Sequence, residues 1–129
     1  MTNSKQNSGS QTNLRKSTAH SEEVDLYINR FLDTVCDKSR RSILELLIPL
    51  EGSSTEMMEI RSGDIAREIG LSAATTSEHL RILTEAGLIT PRRQGNVVYY
   101  RLRNHKLVQA FRALIDGLVR DYAERHCES

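Results

Sequence analysis

The feature that most constrains this chain is a run of alternating helix starts and stops between residues 62 and 102. Ser62 or Asp64 opens a short helix carrying Ile65, Ala66 and Ile69, and Gly70 closes it. Ser72 then caps a second helix, in which Thr76, Leu80 and Leu83 recur at i, i+4 and i+7. Gly87 closes that one. Two extended runs follow, residues 89–93 and 97–102. Between them lies Gln94-Gly95-Asn96, a hairpin turn with glycine where φ can be positive.

Helical patterns flank this block. Ser21 with Glu22 and Glu23 marks a helix start, and Val24, Ile28, Phe31, Leu32 and Val35 recur behind it at helical spacing. After a break at Cys36-Asp37-Lys38, Asp37 caps another helix with Ile43, Leu46, Leu47 and Leu50 as its stripe; Pro49 weakens its end. Residues 51–63 read as a loop ending in a short strand at 58–61. The last helix runs from about residue 104 to residue 125. Leu107, Phe111, Leu114, Leu118 and Tyr122 form its stripe, which Val108, Ile115 and Val119 widen. So broad an apolar face needs a partner.

The expected fold is mainly α with a small β-hairpin: about five helices and a two-stranded wing. Residues 1–20 are polar, with one large aliphatic side chain, and predict a disordered tail. Residues 21–126 predict one domain. The longest apolar run falls far short of the ~20 residues of a membrane span, and the N-terminal stretch has no apolar centre for a secretory signal. Cys36 and Cys127 form no C-x-x-C pair, so a reducing cytoplasm is the expected setting. No phosphate loop, paired carboxylates or cysteine–histidine spacing supports an enzyme.

Net charge is only +1, but it is unevenly spread. Residues 21–59 hold nine acidic against four basic side chains, whereas residues 60–106 hold eight basic against four acidic. Such local asymmetry is a better guide to a polyanionic partner than the total. The helix capped by Ser72 lies in this positive stretch. Ala73 and Ala74 permit close approach, Thr75 and Ser77 donate or accept, His79 suits a base or phosphate, and Arg81 suits a phosphate or guanine. Glu78 favours a cytosine amino group. At the hairpin, Arg92, Arg93, Gln94 and Asn96 suit phosphate contact. Any one of these residues alone reads more readily as solvated surface; the ordered set points to double-stranded DNA.

Four segments carry a family resemblance: DKSRRSILELL (37–47), GDIAREIGLS (63–72), SEHLRILTEAGLI (77–89) and RRQGNVVYYRL (92–102). Together they closely resemble the ArsR/SmtB family of bacterial repressors, over about residues 24–122. The resemblance implies a winged helix-turn-helix homodimer that represses transcription from an operator. The fourth helix would read the major groove and the wing would reach the backbone or minor groove. The first and last helices would pair across the two-fold, through Val24, Ile28 and Phe31 with Leu107, Phe111, Leu114, Leu118 and Tyr122. A winged-helix protein-interaction module without DNA binding is the alternative, and a thiol- or small-molecule-responsive regulator a variant.

The metal-sensing patterns of that family are missing here. Arg61 and Gly63 stand where one class has cysteines. Asn104, Lys106, Gly117 and Arg120 stand where another has its last-helix ligands, and Glu45 replaces the cysteine of a thiol-sensing class. No metal and no cofactor is therefore expected. Cys36 stands where small residues pack between the first two helices, and Met57 and Met58 are expected to fill a local apolar patch.

Overall fold

The computed structural model describes residues 20–49 and 58–127. Their order is α1 (Glu22–Val35), α2 (Lys38–Leu47), β1 (Ile60–Arg61), α3 (Ser62–Ile69), α4 (Ala73–Glu85), β2 (Ile89–Gln94), β3 (Val97–Leu102) and α5 (His105–Arg125). The described part divides after Asp33: α1 up to that residue forms one unit, and the chain from Thr34 onward a second. Residues 1–19 of the expected tail, Leu50 of the expected second-helix stripe, and residues 51–57 of the loop with Met57 lie outside the described residues.

Each helix starts where a short polar side chain can accept an otherwise orphaned backbone N–H. Ser21 Oγ accepts from Val24 at 3.2 Å, Asp37 Oδ1 from Arg40 at 3.0 Å, Ser72 Oγ from Thr75 at 3.1 Å and Asn104 Oδ1 from Leu107 at 3.1 Å. The exception is α3, which follows directly from β1 with Arg61 at the cap and no side-chain cap bond. α2 stops at Leu47, before the expected Leu50. Ile48 is extended at ψ 125° because it precedes Pro49, whose ring disfavours the helical region one residue upstream. Gly70 ends α3 in the left-handed region at φ 79°, with its N–H on the Ala66 carbonyl at 2.9 Å. That conformation lets the chain turn into α4 within three residues.

The hairpin is not a free two-stranded wing. β1 pairs antiparallel with β3, giving a three-stranded sheet in the order β1-β3-β2. Gly95 and Asn96 make the turn between β2 and β3, and Gly95 alone of the two has a positive φ, 62°. This is the backbone requirement of a two-residue hairpin with glycine first.

The core of the second unit comprises Val35 at the end of α1, Ile43, Leu44 and Leu47 of α2, Ile65 and Ala66 of α3, Leu80 and Leu83 of α4, Leu88, Ile89, Leu102, and Val108 of α5. Leu44 is more deeply buried than the expected stripe residue Leu46, which is half-buried. Beyond Val108, α5 leaves this core. Leu114, Leu118, Val119 and Tyr122 are more than half exposed. On α1, Val24, Ile28 and Leu32 are exposed as well. Cys36 is also exposed, so the expectation that it packs between the first two helices is corrected.

Candidate nucleic-acid interface

α4 has two unlike faces. Thr76, Leu80 and Leu83 are buried, while Ala73, Ala74, Thr75, Ser77, Glu78 and Arg81 are exposed. The exposed side begins with four small residues in the first five positions, Ala73, Ala74, Thr75 and Ser77. Ser72 Oγ donates to Thr75 Oγ1 at 3.0 Å. Farther along, the Arg81 guanidinium lies between two carboxylates. Its Nε donates to Glu78 at 3.1 Å and one terminal nitrogen to Glu85 at 2.7 Å. These bonds hold the Glu78 carboxyl below its ordinary range and raise Arg81 above its own. All three side chains are at least half exposed, so the pairs are weak and a phosphate can displace them.

His79 does not join this face. Its side chain is 16% exposed and turns toward the start of α2. Nδ1 lies 3.4 Å from an Arg40 terminal nitrogen and 3.9 Å from Asp37 Oδ1. Arg40 is itself fixed by its Nε, which donates to the Thr34 carbonyl at 2.6 Å. The cap of α2 and the middle of α4 are thereby joined by polar contacts. Of the residues that make this joint, only Asp37 was legible in the sequence, as a cap; Arg40 and the partner on α4 were not.

In the wing, Arg92 and Arg93 separate. Successive strand residues point to opposite faces. Arg92 pairs with Tyr99, which pairs with Arg61 on β1, so these three share one face of the sheet. Arg93 pairs with Val98 and shares its face with Ile89, which is buried, but lies beyond the core's edge and is exposed. Gln94 and Asn96 are exposed at the tip. Arg92 Nε bonds both oxygens of Glu59, at 2.9 and 3.0 Å, and its terminal nitrogen donates to Gln94 Oε1 at 3.0 Å. The guanidinium carbon lies 4.7 Å from the Tyr99 ring centre, in cation–π range. Glu59 is held below the ordinary glutamate range by the Arg92 hydrogen bond.

Two of the positions where the family has metal ligands, Arg61 and Asn104, are engaged otherwise. Arg61 is paired with Asp64 at 3.0 Å, and Asp64 also takes Arg67 at 3.1 Å. Asn104 caps α5. Among the described residues no three His, Cys, Asp or Glu side chains converge as a metal site would require.

The family model described as bacterial regulatory protein, arsR family, matches residues 37–90, which run from the cap of α2 into β2. The transcriptional repressor SdpR of Bacillus subtilis is 35% identical over 75 residues, 58% of this chain and 74% of that protein. The arsenical resistance operon repressor of Escherichia coli is 30% identical over 103 residues, 72% of this chain and 82% of its own length. Among solved structures, the homodimeric winged helix-turn-helix DNA-binding domain of a possible ArsR-family transcriptional regulator from Mycobacterium bovis superposes with a TM-score of 0.64. It is 25% identical, over 84% of this chain and 94% of that one. With its capped α3–turn–α4 pair, its three-stranded wing and these relatives, the chain belongs to the ArsR family of winged helix-turn-helix transcriptional regulators, which are not enzymes.

Proposed function

We propose that the protein is a homodimeric repressor that sets the outer face of α4 into the major groove of a double-stranded operator. Ala73, Ala74, Thr75, Ser77, Glu78 and Arg81 are the residues nearest the bases in this reading, and the tip of the wing, with Arg93, Gln94 and Asn96, meets the backbone. The observation that carries it is the sequence of small, exposed side chains at the start of α4, directly above a row of fully buried ones. A helix enters the groove only where its outer face is narrow enough to reach base edges. The exposed apolar side chains of α5, and those of α1, support a second copy as the cover for these faces. Residues 21–126 act as one functional domain, with residues 1–20 as its tail, and the protein works in the cytoplasm without cofactor or metal. Among the described residues no helix is long and apolar enough to cross a membrane.

The test is a gel shift with the DNA upstream of the protein's own gene and with a random duplex, at about 50 and 200 mM salt. Retarded upstream DNA at both salts, and random DNA only at the lower, is the expected result. Ala74→Glu should keep its thermal stability and lose upstream binding, because it places a bulky anion against the groove. A protein that shifts neither duplex at low salt would instead be a protein-interaction module.

A further inference from the structure

We infer that the two adjacent wing arginines have different tasks: Arg92 is a positioning residue that fixes the wing through Glu59, and Arg93 is the wing's phosphate contact. The assignment rests on the DNA-binding reading above.

The sheet order is what separates them. β1 and β2 are not neighbours; β3 lies between them. The Arg92 side chain starts on β2, passes over the Tyr99 ring on β3 and ends on the carboxylate of Glu59, just before β1. It therefore crosses β3 on one face and ends on the segment that leads into β1. Gln94, two residues along β2 on the same face, takes a terminal N–H. Arg92 is 46% and Glu59 22% exposed, so this pair is more sheltered than the surface pairs on α4. A guanidinium held by a carboxylate, an amide and an aromatic ring lies flat on the sheet rather than reaching away from it. β1 is only two residues long and makes few ladder bonds of its own. A side-chain strap from β2 to the residue that precedes β1 fixes the angle of the hairpin to the helices that follow. Arg93 points to the other face, past the last buried pair, Ile89 and Leu102, at the free end of the hairpin.

The experiment is fluorescence anisotropy of the full-length protein on the upstream duplex across a salt series, with thermal unfolding of each variant alongside. Arg93→Ala should reduce the slope of log affinity against log salt by about 0.9 for each phosphate it no longer neutralises. Arg92→Glu and Glu59→Arg should each weaken binding tenfold or more. Combined, they exchange the charges, leave the net charge unchanged and rebuild the strap. The double variant should return to within about threefold of the unmodified affinity, at the unmodified slope. If it folds and stays as weak as Arg92→Glu alone, Arg92 touches DNA and the assignment is wrong. Arg92→Lys decides the matter if the exchange does not fold. Lysine keeps a point charge for phosphate but not the guanidinium fork. Weakened binding at an unchanged slope supports positioning, whereas near-normal binding overturns it. If the unmodified protein binds no duplex at low salt, the DNA-binding reading fails first, and the division of tasks falls with it.

Discussion

Nδ1 of His79, in the middle of α4, lies 3.4 Å from the Arg40 guanidinium at the start of α2. Removing the imidazole takes away the polar joint between the two helices without touching the outer face of α4. His79→Ala should cost about 1 kcal/mol of stability in urea unfolding, the typical net value of such a hydrogen bond. It should weaken operator affinity through a looser helix. The salt slope should stay unchanged, since every phosphate remains neutralised; a reduced slope would place the imidazole against the backbone of DNA.

Thr76 Oγ1 is fully buried and has no hydrogen-bond partner among the described residues. A buried hydroxyl without a partner costs about 1–3 kcal/mol. Thr76→Val keeps the branched shape and removes the orphan, so it should stabilise the fold by roughly 1 kcal/mol. The denaturation midpoint should rise at an unchanged m-value. A fall in the midpoint would mean that the hydroxyl is satisfied.

The exposed stripe of α5 predicts association. Leu118, 55% exposed in the single chain, becomes buried in the proposed dimer. Leu118→Glu should convert a sedimenting dimer into monomer or aggregate at micromolar concentration. A monomeric unmodified protein under the same conditions would leave the stripe without its proposed role.

Asp37 predicts a pH dependence. The Arg40 backbone N–H, and then the charges of Arg40 and His79, hold its carboxyl below the ordinary 3.8. A group with a lowered folded-state pKa contributes stability that is present above the unfolded value and lost as pH falls through the folded one. Asp37→Ala should therefore cost about 1 kcal/mol near neutrality, the usual effect of removing a helix cap. The gap between variant and unmodified protein should narrow below pH 3.8. A gap that stays constant into acid would assign the effect to packing.

The parts of the fold legible in the sequence were those decided locally. Asp37, Ser72, Gly70 and Gly95 act within a few residues of themselves, and each caps, stops or turns the chain where expected. The pairing of β1 with β3 was not legible, because it joins Ile60 to Tyr100 across 40 positions and two residues carry no periodicity. The reach of His79 toward Asp37 depends on how α2 and α4 pack, which no single helix pattern encodes. Cys36 is exposed although the segment around it suggested packing, since a residue in a two-residue link follows the chain's turn rather than a helix face. The separation of Arg92 from Arg93 was recoverable: neighbours in a strand cannot share a face, and only the habit of reading basic pairs as one patch obscured it.

The turn at Gly95-Asn96 makes the wing's length a stepwise quantity. At its base the hairpin is pinned by the buried pair Ile89 and Leu102, and at its tip by a two-residue turn that tolerates one strand register. One residue inserted between Ile89 and Arg92 would send every side chain beyond it to the opposite face, detaching Arg92 from Glu59. Residues added in matched pairs, one per strand at a time in twos, would extend the reach and preserve the pattern. Descendants of this wing are therefore expected to differ in even increments, with odd ones absorbed as bulges.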